Sequence, residues 1–180
     1  MHRLFVGLRP PAAMREALLG AMGGLERARW QSAEQLHLTL RFIGEVERPL
    51  AEEVALALSN VRFAPFDLAL NGVGAFASRG RARALWAGVA PHERVAQLHR
   101  KVDQALVRTG IAPEGRAYLP HITLARCNAA SGPPDRFLDH NSALASPPVR
   151  FDHFLLFEST LGSEGASYEA VARYRLEADP

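Results

Sequence analysis

The chain carries one four-residue pattern twice, His37-Leu38-Thr39-Leu40 and again His121-Ile122-Thr123-Leu124. Two imidazoles can divide proton transfer between them, one taking a proton while the other gives one. Threonine hydroxyls beside them can hold phosphate oxygens. In a β-strand alternate side chains share a face, so His37 and Thr39 point one way and Leu38 and Leu40 the other, and the second copy divides alike. Each copy reads as a half-buried strand with a polar face, and phosphoryl chemistry between two histidines is what such a pair suits. Alternation also puts Arg41 on the face of His37 and Thr39, either as a phosphate or backbone contact or as an ordinary exposed arginine. It puts Arg126 on the face opposite His121, so Arg126 can serve the site only if the strand ends or bulges near Ala125.

The elements that must hold these residues follow from periodicity and punctuation. Residues 3–8 read as an opening buried strand, and Pro10-Pro11 then starts a helix over 12–22 that Gly23-Gly24 ends. The first motif strand spans 36–43. A helix over 49–60 carries Leu50, Val54 and Leu58 on one face, and another over 92–109 carries Val95, Leu98, Val102 and Leu106. Between them lie strands over 66–73 and 85–89, with a charged loop from Ser78 to Arg83. Phe76, Arg81 and Arg83 on this hairpin read either as an RNA-facing edge with a stacking aromatic or as a solvated turn. The second motif strand follows, then a possible short helix over 135–144 and two closing strands, 149–159 and 167–176. His92 and His99 lack carboxylate or cysteine partners at metal spacing and read as surface residues. The order of elements is α+β: two similar lobes with antiparallel sheets facing a central cleft, helices outside, and one histidine on each wall.

Composition narrows the class. At 180 residues, 48% hydrophobic, the chain suits one domain, 1–180, made of two intertwined lobes, each holding one motif. No secretory h-region or membrane-length apolar run occurs, so a cytoplasmic, membrane-free monomer is expected. The single Cys127 has no disulfide partner and reads as a buried small hydrophobe. The 21 basic residues include only one lysine, Lys101, but a formal charge of +2 does not imply strong nonspecific nucleic-acid binding.

These residues resemble the two-histidine (2H) phosphoesterase superfamily, and within it the bacterial RNA 2′,3′-cyclic phosphodiesterases, historically called 2′-5′ RNA ligases. Besides the two motifs, the resemblance covers Arg3-Leu4-Phe5-Val6, Gly74-Ala75-Phe76 with Arg83-Ala84-Leu85-Trp86, and Leu156-Phe157-Glu158-Ser159 with Gly165-Ala166-Ser167-Tyr168. It implies a bilobal fold and hydrolysis of a terminal 2′,3′-cyclic phosphate, on RNA or on small cyclic nucleotides, to a 2′-phosphomonoester. No metal or other cofactor is implied. By the same resemblance His37 is the proton donor and His121 the proton acceptor, while Thr39, Thr123, Arg41 and Arg126 bind phosphate. Histidines near their ordinary pKa predict a bell-shaped rate profile around neutrality. Three other readings compete: a 2′-5′ ligase using the same site, a noncatalytic RNA-binding module, and a metal-dependent hydrolase.

Overall fold

A computed structural model describes residues 1–180. It has four helices and nine strands: β1 (His2–Leu8), α1 (Ala12–Ala21), β2 (Arg29–Trp30), β3 (Leu38–Val46), α2 (Arg48–Ser59), β4 (Phe66–Ser78), β5 (Arg81–Ala90), α3 (His92–Val107), β6 (His121–Arg126), α4 (Asp135–Asn141), β7 (Val149–Phe151), β8 (His153–Gly162) and β9 (Gly165–Arg175). The α+β class is as the element order predicts. All strand pairs are antiparallel, in the order β7-β4-β5-β6-β3-β1-β8-β9, with β2 also pairing β6.

The motif strands β3 and β6 are neighbours in the middle of this sheet, joined by one residue pair, Leu38 opposite Ile122. On either side of that seam the ladders are long, β5 with β6 and β1 with β3. The helices cover the apolar face. Leu38, Leu40, Ile122 and Leu124 are 1% exposed or less and belong to one core with Val95, Leu98 and Val102 of α3 and Val54 and Leu58 of α2. Burying each such side chain contributes about 1.5–3 kcal/mol. The polar face of the motif strands is left uncovered by this core. No helix is long and apolar enough to cross a membrane.

The loop expected from Ser78 to Arg83 is a two-residue turn: Arg79 and Gly80 both take positive φ, 52° and 73°, as a type I′ hairpin turn requires. The strands therefore run to Ser78 and restart at Arg81. His99 is not on the surface but 8% exposed. It belongs to the stripe Val95, Leu98, His99, Val102 on α3, and its Nδ1–H donates to the Leu40 carbonyl at 2.6 Å while its ring stacks on Tyr118, centroids 4.1 Å apart.

Candidate active site

Antiparallel register does the assembly. With Leu38 opposite Ile122, His37 falls across from Thr123 and Thr39 across from His121, so the four motif side chains share one face around a local two-fold axis. Both motif strands then break step at the same place. In the β1–β3 ladder Val6 pairs with Arg41 and Gly7 with Thr39, leaving Leu40 extra. In the β5–β6 ladder Leu85 pairs with Ala125 and Trp86 with Thr123, leaving Leu124 extra. A bulge at the fourth motif residue reverses the alternation beyond it. The stranded carbonyls are satisfied from outside the ladders, that of Leu40 by His99 and that of Leu124 by the Gln31 N–H at 2.8 Å. The Tyr118 hydroxyl also donates to the Thr39 carbonyl at 2.9 Å.

The bulges decide the arginines. Arg126 meets the condition its position required: the break at Leu124 returns it to the face of His121 and Thr123, where it is exposed and free of ion pairs. Its charge lowers the pKa of both histidines. Arg41 is turned the other way, which corrects the expectation that it shares a face with His37. It is 7% exposed, its Nε donates to Asp103 Oδ1 at 2.6 Å, and its two terminal nitrogens donate to the carbonyls of Phe42 and Ala112. With three of its five N–H groups committed in this way, Arg41 anchors the segment after α3.

Each imidazole is fixed in the same way. His37 Nδ1–H donates to the Gln35 carbonyl at 2.7 Å and His121 Nδ1–H to the Leu119 carbonyl at 2.8 Å, both two residues upstream. A carbonyl only accepts, so Nδ1 carries the proton and Nε2 is left to exchange one with a ligand. Aromatic rings hold the planes: Phe5 and Tyr168 lie 4.8 and 4.9 Å from His37, Phe76 and Trp86 lie 4.8 and 6.1 Å from His121. Burial, and after it the charges of Arg126, His121 and Arg9 against the opposing pull of the Gln35 carbonyl, pushes His37 down to about 4. Burial and Arg126 lower His121 as well. The hydroxyls of Thr39 and Thr123 make no hydrogen bond within the protein.

Two hollows flank the histidines. One, about 380 Å³, includes His37, Arg126, Arg3, Ser159 and Tyr168 in its walls; the other, about 360 Å³, includes His121, Thr39, Phe76, Tyr118 and Arg116. Phe42 borders both and is 57% exposed. Alternation hides it, because only the bulge brings it to this face. Arg9 is the other residue the sequence did not single out; its guanidinium lies over Phe157, 5.3 Å from the ring centroid. Of the hairpin residues, Phe76 packs edge-on against His121, whereas Arg81 and Arg83 stand exposed towards the turn. A basic groove of about 480 Å³, with Arg62, Arg94, Arg100 and Lys101, runs along α3 and holds no histidine.

Gly74 is part of this scaffold. It lies opposite Trp86, and a Cβ there would come within 2.2–2.7 Å of three indole carbons. Gly74→Ala is therefore expected to push the indole against its neighbours, at a cost of roughly 1–3 kcal/mol in urea-unfolding free energy. Tryptophan fluorescence should report the displaced ring.

The family model described as "LigT like Phosphoesterase" matches residues 8–86 and 88–168. The RNA 2′,3′-cyclic phosphodiesterase of Aeropyrum pernix is 33% identical over 141 residues, 77% of this chain and 80% of that protein. The protein of the same name from Escherichia coli is 28% identical over 185 residues, 97% of each. Among solved structures, apo E. coli LigT superposes with a TM-score of 0.77 at 26% identity, covering 98% of both chains. E. coli LigT complexed with 3′-AMP superposes equally well, over 97% of this chain and 98% of that one.

Proposed function

Because the chain belongs to the LigT-like phosphoesterase family, we propose that it hydrolyses RNA 2′,3′-cyclic phosphodiester ends to 2′-phosphomonoesters by acid–base catalysis between His37 and His121. One observation carries this reading: two imidazoles on one face, each tied through Nδ1 to a backbone carbonyl and so offering Nε2 to the same ligand. Water attacks phosphorus while one Nε2 takes its proton; the P–O3′ bond breaks and the other imidazolium gives its Nε2 proton to O3′. The negative charge remains on the nonbridging oxygens, where the hydroxyls of Thr39 and Thr123 and the Arg126 guanidinium are the available donors. Phe76, beside His121, offers a stacking surface for a base, and the exposed Arg81 and Arg83 of the same hairpin are candidate contacts for a longer strand.

In the order the family resemblance implies, His37 donates and His121 accepts. A second order is favoured by the burial of His37: held down to about 4 in the free cleft, it rests in the neutral, accepting form. An aryl phosphodiester separates the two, since a phenolate leaves without a proton. The variant lacking the donor should keep most of its activity on that substrate, and the variant lacking the acceptor should not.

Active protein needs one histidine neutral and one protonated, so kcat/KM peaks between the two free-state pKa values. Both lie below 6.5. The optimum in kcat/KM is therefore expected on the acid side of neutrality, with activity already falling at pH 7. A bound phosphodiester anion favours the protonated imidazoles, so the kcat optimum should lie at higher pH than that of kcat/KM. Coincident optima near pH 7 would contradict this.

The function is tested by incubating the protein, in chelator, with an oligonucleotide ending in a 2′,3′-cyclic phosphate and identifying the product by chromatography. A 2′-phosphate formed by the unsubstituted protein alone supports the reading. A 2′-5′-joined product with a 5′-hydroxyl acceptor points to the ligase, and binding without turnover to a binding module.

A further inference from the structure

The two walls of the cleft are related by a local two-fold axis through the Leu38–Ile122 pair, and the residues beside the two histidines break it. On the His121 side, Gly88 of β5 is the cross-strand neighbour and contributes no side chain. On the His37 side, the β1–β3 ladder ends at the pair Leu8–Leu38, and Arg9 and His37 are the residues that immediately adjoin that last pair. The placement agrees with two further observations. The Arg9 guanidinium lies 5.3 Å from the Phe157 ring centroid, which is itself 6.0 Å from the His37 ring, and its charge acts on that imidazole. Arg9 is half-buried and has no carboxylate partner.

A half-buried arginine without a counter-ion, over the phenyl ring that neighbours His37, is suited to a second anion rather than to the fold. An RNA end supplies one. Its terminal nucleotide bears the cyclic phosphate on one side of the ribose and the phosphodiester to the preceding nucleotide on the other. A free nucleoside 2′,3′-cyclic phosphate lacks the second group.

Resting on the phosphodiesterase reading, we propose that Arg9 receives the phosphate attached to the 5′ oxygen of the terminal nucleotide, so that the site selects RNA ends over free nucleoside cyclic phosphates. Arg126 and the two threonines remain for the cyclic phosphate itself, and Arg9 is a specificity residue one ribose away.

The test compares nucleoside 2′,3′-cyclic phosphate with and without a 5′-phosphate, which differ only in the group in question. The unsubstituted protein should turn over the 5′-phosphorylated form with the higher kcat/KM. Arg9→Gln, compared at each protein's own pH optimum, should lower the ratio of kcat/KM for the 5′-phosphorylated form over the 5′-hydroxyl form by roughly tenfold or more, the scale of one charge-assisted hydrogen bond. Arg9→Lys should recover part of the loss, and thermal melting should show both variants folded. An equal loss on both substrates would place Arg9 on the cyclic phosphate or on His37 and overturn the proposal. No loss on either would leave Arg9 as packing for Phe157 and overturn it as well. If the unsubstituted protein turns over neither substrate nor the oligonucleotide ending in a 2′,3′-cyclic phosphate, it is the phosphodiesterase reading that fails. Calorimetric affinities of nucleoside 2′-phosphates with and without the 5′-phosphate then decide the role of Arg9 separately: a preference for the 5′-phosphate that Arg9→Gln abolishes supports it, and equal affinities sink it.

Discussion

His37→Ala and His121→Ala proteins are each expected to hydrolyse the cyclic end roughly 10²–10⁴-fold more slowly in kcat than the unsubstituted protein, the usual scale for one general acid or base. The fold should survive both changes. The core strands are held from the other face, where Leu38 and Ile122 are 1% exposed or less, whereas the histidines lie on the uncovered face. What each substitution removes is an imidazole whose orientation is already fixed by a carbonyl at 2.7 or 2.8 Å and by rings within about 5 Å. The double variant should be hardly slower than either single one, because a proton donor without its acceptor partner has no step to complete. Single-turnover rates and melting temperatures on the same preparations check both halves of the expectation. Full activity in the His121→Ala protein would remove that residue from the chemistry.

Arg126→Gln has the next largest expected effect, and it moves two observables. Loss of a preorganised cation from the nonbridging oxygens should lower kcat/KM by roughly 10²–10³-fold. The same charge lowers both histidines in the free cleft, so its removal should raise both pKa values and carry the kcat/KM optimum towards higher pH. An arginine that merely shaped the rim would change neither the optimum nor kcat. The Arg41→Gln protein is the informative contrast. Arg41 is tied to Asp103 and two carbonyls, so the change should reduce stability and leave the pH profile of the residual activity where it was. The two arginines were indistinguishable by type, and only backbone geometry separates them.

That separation also marks how far the sequence could be read. Alternation within His-x-Thr-x gave the polar and apolar faces of β3 and β6, and the element order gave the antiparallel α+β class, because both are local properties of the chain. Alternation failed at Leu40 because neither bulge carries a glycine or proline to announce it. The bulges return Arg126 to the histidine face, turn Arg41 away from it and bring Phe42 onto it, each against plain alternation. His99 was recoverable: with Val95, Leu98 and Val102 it completes an i, i+3, i+4, i+7 stripe, and a histidine in such a stripe is buried whatever its polarity. Arg9 was not. Its neighbour is His37 only through the register of β1 on β3, a pairing between residues far apart in the chain.

The Leu38–Ile122 pair has the form of an isologous contact, in which the same residues of two equivalent segments meet about a two-fold axis. A site built on perfect isology would have no arrow: substrate could enter in either of two opposed senses, and each imidazole would serve equally as giver and taker of the proton. Direction comes from whatever differs between the halves, here Arg9 against Gly88 and Phe42 against Arg126. Making those pairs alike, for instance by Arg9→Gly, should leave proton transfer possible and weaken the bias by which the protein tells one end of its substrate from the other.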